Sequence, residues 1–121
     1  MANILIIDDD DALRRAMRRI LERAGHTVRE APDGARGLAL YREEAADVVV
    51  TDLIMPEKEG IETIIELREE FPDVRILAIS GGGSFEPGEP LTDARFLGAD
   101  DALSKPFTLD ELQDAVSRLL A

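Results

Sequence analysis

The chain has 121 residues, 45% hydrophobic and 33% charged, enough to bury a core and in keeping with one soluble globular domain. It has no cysteine, which excludes disulfides, thiolate metal sites and thiol catalysis, and its formal net charge of −12 argues against direct nucleic-acid binding. No apolar run approaches membrane-spanning length and no secretory h-region follows the start, so the expected location is cytoplasmic.

Residues 3–8 form a short apolar run that closes on acids and read as a first buried strand. Asp10 or Asp11 can cap the helix that follows, because an aspartate at that position accepts from an orphan backbone N–H. Leu13, Ala16, Met17, Ile20, Leu21 and Ala24 recur at helical spacing, and Gly25 supplies the stop. Arg14, Arg15, Arg18, Arg19 and Arg23 are expected on the opposite face. Such a stripe is either a solvated surface or a docking face for an acidic partner. The single histidine, His26, falls in the turn and has no histidine partner, so no metal site is expected there.

Residues 27–31 give a second, more polar strand, expected at a sheet edge. Asp33 opens a second helix with Ala35, Leu38, Ala39 and Tyr41 on its apolar face. Residues 47–52 follow, and their three consecutive valines suit a strand buried on both faces that ends on Asp52. Met55-Pro56-Glu57-Lys58-Glu59-Gly60 reads as a loop, and Ile61, Ile64, Ile65 and Phe71 mark a third helix stopped by Pro72. Residues 74–79 are a fourth buried strand ending at Ser80. A Gly- and Pro-rich loop over 81–90 and a short helix over 91–97 come next. Residues 101–104 form the fifth strand, closed by Lys105-Pro106-Phe107. Thr108-Leu109-Asp110-Glu111 fits a capping box before a last helix carrying Leu112, Ala115, Val116, Leu119 and Leu120.

Five alternations of strand and helix imply an α/β fold: a doubly wound, five-stranded parallel sheet, (βα)5, with right-handed crossovers. No linker or repeat interrupts residues 1–121, and the chain ends within its last helix, so a single domain without an output domain is expected.

Polar residues stand where the apolar strands end: Asp8 with Asp9, Asp52, Ser80 and Lys105. Each has an ordinary use, the acids Asp8 to Asp11 as helix caps, Ser80 as a turn residue and Lys105-Pro106 as a surface turn. Carboxyl ends of parallel strands are also where open α/β sheets place their chemistry. If the three acids meet, their mutual repulsion calls for a cation, and hard carboxylate oxygens suit Mg²⁺. Asp52 is then the candidate nucleophile and phosphate acceptor. Lys105 is the candidate counter-charge to a phosphoryl oxygen, and Ser80 the hydroxyl that engages once phosphate is present.

Taken together, Ile-Leu-Ile-Ile-Asp8-Asp9-Asp10, Thr51-Asp52-Leu53-Ile54-Met55-Pro56 with Gly60, Ile79-Ser80-Gly81, Gly98-Ala99-Asp100 and Lys105-Pro106-Phe107 resemble the receiver domain of bacterial two-component response regulators over essentially the whole chain. The resemblance implies a flavodoxin-like strand order 2-1-3-4-5 and phosphoryl transfer to Asp52 from a phosphohistidine donor. It implies Mg²⁺ held by Asp8, Asp9, Asp52 and the Ile54 carbonyl, and a cis Lys105-Pro106 peptide. The expected partner is a sensor histidine kinase or histidine phosphotransfer protein, met beside the first helix through Arg14, Arg15, Arg18 and Arg19. Two departures stand out. Ala102 occupies a position where the family carries Tyr or Phe, which leaves the usual aromatic swing without its ring. The stretch from Ser80 to Lys105 is also a few residues longer than is common.

Two other classes compete. Asp8-Asp9-Asp10, with Ser80 and Asp100-Asp101, imitates a haloacid-dehalogenase-type phosphatase with Asp8 as nucleophile, although Lys105 falls after the late acidic pair and no cap domain is present. A receiver fold that takes no phosphate would be an inert interaction module.

Overall fold

A computed structural model describes residues 2–53, 60–80 and 98–121, with Ser80 described by its backbone alone. Strands β1 (Asn3–Ile7), β2 (Thr27–Ala31), β3 (Val48–Asp52), β4 (Ile76–Ser80) and β5 (Asp101–Ser104) are interleaved with helices α1 (Asp11–Arg23), α2 (Gly34–Glu43) and α3 (Gly60–Glu70). Helix α4 (Leu109–Leu120) closes the chain. Every strand pairing is parallel and the order is β2-β1-β3-β4-β5, the flavodoxin-like arrangement expected. The loop expected before Gly60, the loop over 81–90 and the helix over 91–97 lie outside the described residues.

Because side chains alternate across a strand, the two faces of the sheet make two cores. Leu5, Ile7, Val49, Ile76 and Ala78 face α2 and α3, where Leu38, Tyr41, Ile64 and Leu67 cover them. Ile4, Ile6, Val48, Val50, Leu77 and Ile79 face α1 and α4, under Met17, Leu21, Leu112 and Val116. The strands β1, β3 and β4 therefore read as continuous apolar runs, while β2 at one edge keeps polar residues.

The helix ends follow from local chemistry. Asp10 caps α1 by accepting from Leu13 N–H, and Asp33 caps α2 by accepting from Arg36 N–H. Gly25, at φ 98°, ends α1: its N–H reaches the Glu22 carbonyl and the His26 N–H reaches that of Leu21. That crossed pair of bonds satisfies carbonyls the helix would leave bare, and the positive φ suits glycine. The capping box at α4 is formed in both directions between Thr108 and Glu111.

Some boundaries differ from expectation. β4 begins at Ile76, because the Val74 N–H turns back to the Phe71 carbonyl, and it includes Ser80. In α2, Ala35 and Ala39 are exposed, and Gly34, Gly37, Leu38 and Tyr41 face the sheet instead. Gly37 lies so close to Ile7 that a Cβ there would stand 2.7 Å from Ile7 Cγ1. The helix approaches the sheet through its glycines, which apolar counting does not register.

Candidate functional site

Strand register assembles the site. Ile7 lies opposite Thr51, so the next residues, Asp8 and Asp52, emerge side by side from neighbouring strands. Asp52 lies opposite Ile79, and Ser80 opposite Ser104, which brings the start of the Lys105 segment to the same rim. Lys105-Pro106 is a cis peptide, as the resemblance implied.

Asp8 is fully buried and Asp52 is 6% exposed, whereas Asp9 is exposed. One carboxylate oxygen from each of Asp8, Asp9 and Asp52 lies within 4.8 Å of the others. Lys105 Nζ donates to Asp52 Oδ2 at 3.1 Å. Asp8 Oδ1 accepts from the Asp10 N–H at 2.9 Å, while Asp8 Oδ2 is buried and finds no hydrogen-bond donor among the described residues.

The electrostatics follow from that geometry. Burial pushes the Asp8 carboxyl from 3.8 up to about 6; the Asp10 N–H pulls it down and the Asp52 charge adds to the rise. Burial pulls the Lys105 ammonium down, but the charge and hydrogen bond of Asp52, helped by Asp8 and Asp10, hold it above its ordinary value. A buried carboxylate with one oxygen lacking a donor among the described residues, beside two more carboxylates, is unfavourable in isolation and suits a small hard cation. Three oxygen donors without nitrogen or sulfur favour Mg²⁺ over a softer metal.

The Asp52 backbone is closely confined. Thr51 Oγ1 donates to the Asp52 carbonyl at 3.2 Å, and Ile61 N–H donates to the Leu53 carbonyl at 3.3 Å. Gly60 lies so near that a Cβ built on it would overlap the Asp52 carbonyl oxygen and stand 2.5 Å from its carbon. No side chain fits at position 60 without displacing the peptide that follows the candidate nucleophile. Of the expected site residues, Asp8, Asp9, Asp52 and Lys105 are brought together. The Ile54 carbonyl and the Ser80 hydroxyl lie outside the described residues.

One part of the docking expectation is overturned. Arg14 is buried, and its side chain points into the fold: it bonds the Asp8 carbonyl and Glu30 and pairs with Asp11. Arg18 is half-buried and divides its guanidinium between Glu22 and Glu30. Arg18 foremost, then Arg14, holds the Glu30 carboxyl below its ordinary value against the effect of burial. Arg15 and Arg19 remain exposed. The signal was present in the spacing, because Arg14 precedes Met17 by three residues and Leu21 by seven and so shares their buried face. Beside these residues, Leu13, Met17 and Ile20 of α1 meet Pro106, Phe107 and Leu109 around an open apolar groove of about 310 Å³ that reaches Lys105. Leu109 is 57% exposed there.

The other expected features have structural uses. The Asp100 carboxylate accepts from Ile76 N–H at 2.7 Å and from Arg68 at 2.8 Å, and Arg68 also grips the Gly98 carbonyl. Asp101 begins β5, roughly 13 Å of strand from Lys105 at about 3.3 Å per residue. Asp100 and Asp101 thus lie at the amino end of the sheet, opposite Asp8, which removes the acidic pair that the phosphatase alternative needs. His26 Nδ1 accepts from the Ala2 N–H and ties down the amino terminus. Ala102 lies partly buried against the core beneath α2 and α3.

The sequence matches the model of the response regulator receiver domain over residues 4–117. It is 39% identical over 117 residues, 97% of this chain, to the response regulator MprA of Mycolicibacterium vanbaalenii. The match takes in 49% of that relative, so the chain spans about half the length of the curated relatives it matches. The fold is similar to the Francisella response regulator 1452 receiver domain, with TM-score 0.91 and 29% identity over 99% of this chain and 97% of that one. It is also similar to the Vibrio cholerae chemotaxis protein CheY4, with TM-score 0.89 and 29% identity over 99% of both chains.

Proposed function

The chain belongs to the response regulator receiver domain family, and from that premise we propose that it accepts a phosphoryl group on Asp52 from a phosphohistidine donor in a Mg²⁺-dependent reaction. The observation that carries this reading is Lys105 Nζ 3.1 Å from Asp52 Oδ2, within a cluster of three carboxylates on one rim of the sheet.

In the proposed reaction an Asp52 carboxylate oxygen forms a bond to phosphorus as the P–N bond to the donor imidazole breaks, and the departing nitrogen keeps the electron pair and takes up a proton from water. Bound at Asp8, Asp9 and Asp52, with the Ile54 carbonyl, Mg²⁺ supplies positive charge that offsets repulsion between the carboxylates and an incoming phosphoryl group. Lys105 steadies the Asp52 carboxylate before transfer and presents a compact cation to a phosphoryl oxygen afterwards. Ser80, whose backbone ends β4 on this rim, is assigned the hydroxyl that bonds another phosphoryl oxygen and couples phosphate to partner choice. The protein is then a signalling phosphoacceptor that takes part in its own phosphorylation and dephosphorylation, not a turnover enzyme. With Ala102 on β5, that coupling runs without an aromatic swing.

The partner we assign is a sensor histidine kinase or histidine phosphotransfer protein. The groove between α1 and the residues after β5 receives its apolar face, and Arg15 and Arg19 meet its acidic rim. No helix among the described residues is long and apolar enough to cross a membrane, in keeping with the cytoplasmic location we assign.

Incubation with a small-molecule phosphodonor and Mg²⁺, followed by intact-mass measurement, tests the acceptor. One phosphate-sized gain is expected in the wild type and none in Asp52→Asn. An unchanged wild-type mass would leave an inert receiver-fold module. Reversing Arg15 and Arg19 to Glu is expected to slow transfer from the donor protein while leaving uptake from the small donor intact; equal slowing of both would remove these arginines from docking.

A further inference from the structure

The buried guanidinium of Arg14 takes no direct part in the proposed phosphoryl transfer. With 11% of its side chain exposed, it spends three donors on three residues: Nη1 on the Asp8 carbonyl at 2.7 Å, Nε on Glu30 at 2.9 Å and Nη2 on Asp11 at 2.6 Å. The Asp8 carbonyl belongs to the peptide that joins Asp8 to Asp9. Turning that peptide would swing both carboxylates at once. On either side of that peptide, the Asp8 N–H donates to the Ala31 carbonyl of β2 at 3.1 Å and Asp8 Oδ1 accepts from the Asp10 N–H.

We propose that Arg14 is a positioning residue for divalent-cation binding, holding the Asp8–Asp9 peptide at the angle that points both carboxylates at the cation. The proposal rests on reading Asp8, Asp9 and Asp52 as the Mg²⁺ site. Mg²⁺ demands near-octahedral ligands at short distances and tolerates little error in their direction. Glu30 on β2 orients Arg14 in turn, and Arg18 orients Glu30 at 2.7 Å, so α1 and the edge strand jointly set the direction of the acidic pair. A lysine at position 14 would keep the charge but lose the fork that serves three acceptors together.

Calorimetric titration of MgCl₂ into the wild type, Arg14→Lys and the double variant Arg14→Met/Glu30→Met tests this. Replacing both members of a buried ion pair by apolar groups preserves stability where removing one does not, so the double variant is expected to melt near the wild type. Both variants are expected to bind Mg²⁺ about 10-fold more weakly, as for other groups that orient metal ligands. A variant that stays folded and binds Mg²⁺ as tightly as the wild type would overturn the role of Arg14 alone. A wild type that does not bind Mg²⁺ would overturn both this proposal and the metal site beneath it. Should the double variant unfold, the Arg14→Lys affinity decides by the same criteria.

Discussion

Asp8 carries opposing demands in one side chain. Its full burial suits a core position, yet its carboxyl faces Asp52 and Asp9 and has one oxygen without a donor among the described residues. Because its folded pKa of about 6 lies above the ordinary 3.8, the folded state holds the Asp8 proton more tightly than the unfolded chain does. Its contribution to stability is therefore fully present below about pH 4 and is lost as pH rises through about 6. The loss is roughly 3 kcal/mol at neutral pH. In metal-free buffer at pH 7.5, Asp8→Asn is expected to melt higher than the wild type by on the order of 10 °C. The gap should close as pH falls towards 4, and added Mg²⁺ should raise the wild type more than the variant. Melting curves across that pH range with EDTA or MgCl₂ check this, and a gap independent of pH would contradict it.

Among the elements, β3 and α4 were the most legible. Three valines between acids announce a strand covered on both faces, and all five residues of β3 are buried. The Thr108–Glu111 spacing announced a capping box that the structure contains. Thr108→Ala is expected to lower stability by about 1 kcal/mol, through loss of the Glu111 N–H partner, without changing Mg²⁺ affinity. Chemical denaturation and metal titration on the same variant separate the two effects. The site was legible as far as strand ends could reveal it, because register brings the next residue of each strand to a common rim. What residue type obscured was the inward turn of Arg14. A charged residue on a helix is ordinarily read as solvated, and only its shared ridge with Met17 and Leu21 points inward. The grip of Arg68 on Gly98 and Asp100 was hidden for a different reason: it joins residues 30 and 32 apart in sequence, and no local pattern encodes such a pair.

At the scale of the whole molecule, two apolar layers on either side of the sheet hold an acidic surface of net charge −12 around a rim where carboxylates are forced together. Four of the 14 cations show how they are placed against that background. Lys105 meets Asp52, Arg14 and Arg18 meet Glu30, and Arg42 joins α2 to α3 through Glu70 at 2.7 Å. Exposed pairs such as Arg42–Glu70 contribute little, whereas the buried Arg14 fixes direction. The position of β3, flanked by β1 and β4 and roofed by helices on both faces, has a consequence for time as well as space. Its amides at Val49, Val50 and Thr51 are expected to exchange with deuterium only when the entire domain opens, while those of the last turn of α4 are expected to exchange through local fluctuations. Deuterium uptake followed by mass spectrometry would show it, and early labelling of β3 would contradict it. Asp52 ends that strand, so its backbone is expected to hold its place for as long as the domain stays folded.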